Sequence, residues 1–470
     1  MAYFPVASRA DDRRSRALTP IRLNNVMLEP QPADVAARSS YAIVNAPGRE
    51  CIARLPGNVR GLFSEPGCQG GRLFAAAGAG LYVVSGAWSP SLAAPLGGSD
   101  VVQMTALRDQ LGVLAGGAIG VLNGATWSPV TDVDAPSPAA SLTSSALRLI
   151  AARDQSDLWG WSKAGLPLDW DSAGIAADIS RPDPIVVQSE IDGDLWSFGA
   201  RSTQIWRATG GAEAEAFAPV PGSTRQLGVL ARNSLAHLGS GGAMVLGSDG
   251  VVYRVGAGQM SPIVDESLTA SLSALSAPGA LGASFAVGAR AFYGLRFIGA
   301  ALAPYYDVAF GRWFTRSRYN RPTYDVGFIA QCYGETVCAG PDDPFLWRQS
   351  RDVFDDDGDP ILREMTVHVP FKDDSSVDSI GLDITVRGQS MGVTPKALLT
   401  FSRDGGNQQS LDALGIEREV DLPAAGNHSA RPTAWRFGRA ERGKGFLLSI
   451  KITDAIGFAL NGVFVNEGRP

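Results

Sequence analysis

A chain of 470 residues is longer than one ordinary core needs, so two or three domains are expected, and 45% hydrophobic with 19% charged residues is a globular balance, not a disordered one. The net charge of −6 argues against a basic face that grips DNA phosphates regardless of sequence. With 55 glycines and 29 prolines, tight turns must be frequent, and no run of about 18 apolar residues is present to span a bilayer.

The opening MAYFPVASRADDRRSR has no apolar stretch behind a basic cap and does not read as a signal peptide. Residues 1–50 mix turn formers and charges, as in DDRRSR and EPQPAD, and are expected to form an extended N-terminal arm. Within it Arg13, Arg14 and Arg16 are the candidate assembly contacts, because arginine clusters on chain ends pair with acidic surfaces. The plain alternative is a solvated tail.

From 51 to 350 the pattern is short β-type runs separated by Gly, Asp, Asn or Ser turns. An apolar strand, a Gly-rich turn and a strand with an aromatic or aliphatic pair recur, as in AGAGLYVVSGAW, GGAIGVLNGATW and APYYDVAFGRW. Anchors fall near Leu81, Gly120, Trp159, Ile205, Val252, Tyr306 and Leu346, at steps of roughly 40 to 50 residues, the length of one four-stranded propeller blade. Each blade buries both faces only against its neighbours, so the repeats must close into a ring. The expected fold is all-β: a β-propeller of six blades, alternatively seven, then an acidic linker at 351–360 and a C-terminal β-sandwich at 361–470.

The linker contains DVFDDDGDP, which resembles a calcium loop only in part, since Val353 occupies the first ligand position and no terminal Glu follows. It is expected to be a solvated charge run at a domain junction, with no metal. In the sandwich, Leu382, Ile384 and Val386, and again Leu448, Ile450 and Ile452, alternate as one-sided strands do. The cysteines Cys51, Cys68, Cys332 and Cys338 show no C-x-x-C spacing and read as free thiols, with a Cys332 to Cys338 bridge open only in an oxidising setting.

Three motifs come close to chemistry. GRAERGKGF, residues 438–446, has the glycine and lysine spacing of a phosphate-binding loop, but Gly445 replaces the magnesium-binding hydroxyl and a period-2 strand follows, so a β-hairpin turn is expected. GQSMG, residues 388–392, matches a nucleophile elbow around Ser390, with Asp404 or Asp412 and His428 in hydrolase order, yet strand-like residues follow where a helix is required. FSRDGGNQQS, residues 401–410, resembles an Asp-box hairpin in which Asp404 satisfies turn N–H groups, a structural role. No catalytic residue, cofactor or metal is therefore assigned. Trp159, Trp161, Trp170, Trp196 and Trp206 leave two readings open, a carbohydrate cleft or blade cores.

Several phrases together resemble the packaged-DNA stabilisation proteins, or tail hubs and nozzles, of short-tailed phages. They are NAPGREC with LPGNVRGLF, the stretch 157–210, GAGQMSPI, YYDVAFGRWF, LTFSRDGGNQQS and RPTAWRFGRAERGKGFLLSIKIT. The resemblance is collinear from about residue 40 to the end and most specific over 190–210; the N-terminal arm matches poorly. It implies a virion structural protein, made in the host cytoplasm and not an enzyme. It also implies a homohexameric ring below the head-to-tail adaptor and above a tail needle, fibres or tailspikes, with no membrane insertion. Genomic double-stranded DNA would pass through the channel without sequence-specific contacts, weakly repelled by acidic charge. The competing reading is a glycan-binding propeller or a glycosidase acting on bacterial surface polysaccharide.

Overall fold

The computed structural model describes residues 2–5, 22–31, 40–177, 183–264, 279–369, 376–388, 394–402, 415–427, 431–439 and 446–466. Six separate four-stranded antiparallel sheets, together with the four strands Leu281–Val287, Arg290–Arg296, Ala303–Asp307 and Arg312–Arg316, make seven blades. The seven sequence anchors all fall on the third strand of successive blades, from Leu81 in Gly80–Val84 to Leu346 in Phe345–Ser350. Of the two expected blade numbers, six and the alternative seven, the described residues form seven.

The innermost strands are Val59–Phe63, Gln103–Leu107, Ala139–Ser145, Ile185–Ile191, Ala236–His237, Leu281–Val287 and Phe328–Cys332. They follow one another around an axis, and the seventh returns to the first. Blade 7 is completed from elsewhere: its outer strand is Gly48–Arg54, paired antiparallel with Phe345–Ser350. A strand early in the chain thus locks the last blade, and the ring has no open edge at its seam.

Apolar side chains between blades set the packing. Blades 3 and 4 meet over Trp159, Trp161, Trp206 and Phe217, with Trp159 and Trp206 ring centroids 5.1 Å apart in an edge-to-face arrangement. Such pairs contribute about 0.5–1.5 kcal/mol beyond area burial. Glycine is required where a cross-strand aromatic lies flat over the backbone. A Cβ on Gly294 would sit 2.4 Å from the Tyr305 ring, and one on Gly120 would sit 2.2 Å from the Trp127 ring.

The C-terminal strands form two sheets. One runs in the order Val26–Pro30, Tyr41–Asn45, Gly457–Val465, Ser376–Arg387, Thr433–Arg439, with Ala2–Pro5 also on Gly457–Val465. The other is continuous with blade 6: Arg312–Arg316 pairs with Arg22–Asn24, which leads through Arg363–Val369 and Phe446–Ile452 to Lys396–Ser402 and Ile416–Asp421. Strands from the first 50 residues, expected as an arm, thus lie inside both sheets. Val26, Ala42 and Ile43 are fully buried there.

The alternating residues Leu382, Ile384, Val386, Leu448, Ile450 and Ile452 face inward, and their core is continuous with Phe285, Phe292, Tyr305, Cys338 and Trp347 of blades 6 and 7. One apolar core therefore welds propeller to sandwich. The free outer strand Ile416–Asp421 exposes Glu417, Glu419 and Asp421. A row of like charges on an edge resists further strand pairing.

Candidate functional site

Two features mark where the molecule is built with most polar investment: the propeller axis and the junction with the sandwich. Along the axis lies a cavity of about 590 Å³ lined by the innermost strands, including Gln103, Thr105, Ser144, Gln188, Ser189, Glu190 and His237. Side-chain hydrogen bonds sew one blade to the next around it. Thr105 Oγ1 donates to Ser144 Oγ at 3.0 Å, the Gln188 backbone N–H donates to Ser141 Oγ at 2.8 Å, and Ser189 Oγ lies 2.8 Å from His237 Nε2. Ser284 Oγ donates to the His237 carbonyl, Gln331 Nε2 to Ala286 O at 3.1 Å, and Tyr333 Oη to Val84 O at 2.7 Å. The Gln69 backbone N–H donates to Asp109 Oδ1 at 2.5 Å.

The Ser189 and His237 pair has the donor and base of a nucleophilic dyad. His237 faces the axis cavity, and its position deep among the inner strands lowers its pKa, opposed by the charge of Asp192. Among the described residues no carboxylate is hydrogen-bonded to the imidazole to orient it, as the triad logic requires. Ser189 is itself only 4% exposed. The pair acts as a stitch between blades 4 and 5.

The junction is built on the closing strand of blade 7. The backbone N–H of Gly48 donates to Val353 O at 3.0 Å and that of Arg49 to Asp355 O at 3.1 Å, while the Asp357 N–H donates back to Arg49 O at 2.8 Å. Cys51 N–H reaches Asp357 Oδ1 at 2.9 Å. The acidic run thus covers the outer edge of the closing strand. Beneath it Arg49, 2% exposed, sits 4.0 Å over the Trp347 ring and donates through Nη2 to Asp325 Oδ2 at 2.8 Å and through Nε to Asp356 Oδ1. Arg318 completes the clamp, reaching Asp325 at 2.8 Å, Asp356 at 2.9 Å and Asp359 at 3.1 Å.

Burial alone would raise the Asp325 pKa, but the Arg49 and Arg318 guanidiniums outweigh it and hold the carboxyl below its usual range. Burial likewise opposes charge on Arg49, and Asp325 and Asp356 overcome it, so Arg49 stays a cation. Asp356, expected within a solvated linker, is instead 8% exposed because these two arginines replace its water.

Gly438–Gly445 does not join a hairpin: Thr433–Arg439 pairs with Ser376–Arg387 in one sheet, and Phe446–Ile452 lies between Arg363–Val369 and Lys396–Ser402 in the other. Residues 440–445 lie outside the described residues, and the strands on either side of them belong to different sheets that cover opposite sides of one core. Among the described residues, a strand and not a helix follows the motif, where a phosphate loop needs a helix N-terminus. GQSMG likewise follows a strand and precedes one, and Ser390 lies outside the described residues. So do Asp404, Asp412, His428 and the cluster Arg13, Arg14 and Arg16.

Trp159, Trp161, Trp170, Trp196 and Trp206 are all buried, so they pack blades and do not line a carbohydrate cleft. All four cysteines are free thiols, and in the hairpin Cys332 faces Glu335 while Cys338 faces Ile329, so the two do not oppose each other.

A family model described as bacteriophage P22 Gp10, beta-propeller, matches residues 19–285, more than half of the sequence. The chain belongs to this phage DNA-stabilisation family. Membership makes it a phage structural protein of the DNA-stabilisation and tail class. No curated protein matches it.

Among solved structures, extracellular domains assigned to a hybrid two component system and to a one component system of B. thetaiotaomicron align at 10% and 11% identity with TM-scores of 0.44 and 0.42. Each covers 83% of this chain, which spans only 47% of theirs. The computationally designed protein Ika8 aligns at 12% identity with a TM-score of 0.40 over 64% of this chain and 100% of its own. Likenesses at that level carry no functional weight.

Proposed function

We propose that this DNA-stabilisation family member forms a tail hub or nozzle ring below the head-to-tail adaptor, retains the packaged genome until infection, and carries the distal needle, fibres or tailspikes. The observation that carries the reading is the continuity of the subunit, a closed propeller sharing one core and a buried ion clamp with its sandwich. A body without a hinge between its halves suits a wall under internal pressure.

The axis cavity has the volume of a small-molecule pocket, and a duplex whose major groove alone is about 12 Å wide does not thread it. DNA therefore passes along a lumen shared by copies, not through a propeller. A head-to-tail interface closes such a ring when its rotation divides the circle, and the family resemblance implies six copies. With an overall charge of −6, the ring presents DNA with a weakly repulsive wall.

Quantitative peptide mass spectrometry on purified particles tests the reading. The expected result is this chain at about half the copy number of the portal protein, the ratio that the resemblance implies for a six-fold tail ring. Absence from particles overturns the proposal.

A further inference from the structure

The strand Gly457–Val465 has one edge shared by two segments. Tyr41–Asn45 pairs with its first part, Val44 opposite Ala459 and Ile43 opposite Leu460. Ala2–Pro5 takes the rest, with Pro5 opposite Gly462, Phe4 opposite Val463, Tyr3 opposite Phe464 and Ala2 opposite Val465. The edge over 462–465 is thus a slot that accepts a short extended segment by backbone pairing, in the manner of strand addition.

We infer that in the assembled ring this slot is a strand-exchange site: each copy's Ala2–Pro5 pairs with Gly462–Val465 of a neighbouring copy, so every subunit donates one strand and receives one. The inference rests on the ring reading above. Three observations support it. The contact is only four residues long, so pairing within one chain is weak and readily exchanged. The connecting residues 6–21 are sixteen in number and span up to roughly 55 Å when extended, more than the roughly 30 Å diameter of a small domain. Gly457–Val465 is held in its sheet without the slot strand, by Ser376–Arg387 along its other edge and by Tyr41–Asn45 at Ala459 and Leu460. Releasing Ala2–Pro5 therefore keeps its own sheet in place and opens only the 462–465 edge, which a neighbouring copy's strand fills. Exchange of an identical element between copies is a low-cost route to assembly, and around a closed ring it leaves no donor or acceptor unpaired.

Cysteine pairs at register partners test this in phage particles, on a Cys51→Ser background because Cys51 is the exposed thiol. One particle stock carries Tyr3→Cys with Phe464→Cys. A second carries Pro5→Cys with Gly462→Cys, which spares the buried Phe464 ring. Directly opposed residues on antiparallel strands lie within disulfide reach. After mild oxidation and non-reducing electrophoresis, exchange gives a ladder of covalent multimers and depletes the monomer band. Particles that contain the chain only as internally bridged or unbridged monomer overturn the exchange while leaving the ring intact. Particles that lack the chain overturn the ring, and the exchange with it.

Discussion

Asp343 sits beside the clamp, its Oδ1 accepting the Phe345 backbone N–H at 3.0 Å. Burial pushes its carboxyl up to about 6, and the nearby charge of Asp325 adds to the rise. With the folded value above the ordinary 3.8, the folded state holds the proton more tightly, and the stability gained from that proton is complete below 3.8. It is lost as pH rises through about 6. At neutral pH the ionised carboxylate is a burden. Asp343→Asn keeps the acceptor for Phe345 and removes the charge, so it should stabilise the protein by about 1 kcal/mol at pH 8, after discounting for the half-exposed site. At pH 4 the gain should vanish. Urea midpoints at the two pH values check this, and an equal gain at both would assign the effect to packing.

The closing strand Gly48–Arg54 is the element on which the propeller depends, and Arg49 is its most constrained side chain. Arg49→Met fills the space over Trp347 but leaves Asp325 and Asp356 sharing Arg318 alone. Breaking a buried pair in this way costs about 3–5 kcal/mol. Thermal unfolding should show that loss, and hydrogen exchange should rise at the amides of 48–54 and 345–350 while those of blade 3 remain protected. Uniform loss of protection would mean that the clamp is no more local than the rest of the core.

The blades were legible because each repeats a local pattern, and all seven anchors landed on third strands. The clamp was not, since Arg49 lies 276 residues from Asp325 and 307 from Asp356, and ring closure alone brings them together. For the same reason the acidic run read as solvent-exposed, although its neighbours in space are arginines. Nor does Gly438–Gly445 reveal in sequence that its flanking strands belong to different sheets, since a hairpin and a crossover can share the same turn residues. What distinguishes them is which face of each strand meets the core.

At the scale of the whole molecule, the central question is where DNA runs. Polar stitches tie all seven blades around the axis, leaving an open-mouthed cavity of about 590 Å³ lined by the inner strands. If the genome leaves through a lumen between copies, narrowing that cavity has no effect on release. Glu190 lines the axis on the inner strand of blade 4 and is half-buried. Glu190→Trp places a bulky ring in the cavity while leaving Ser189, His237 and the blade cores in place. Particles carrying it should eject DNA with wild-type kinetics, within about twofold, as read by a fluorescent dye that reports DNA leaving the capsid. A tenfold delay, with normal particle assembly, would place the path through the propeller and refute the shared lumen. Lysine in place of acids on the ring's true inner wall should have the opposite profile, slowing ejection through phosphate contacts that weaken as salt rises. Comparing the two classes of variant at low and high salt therefore separates a steric conduit from an electrostatic one.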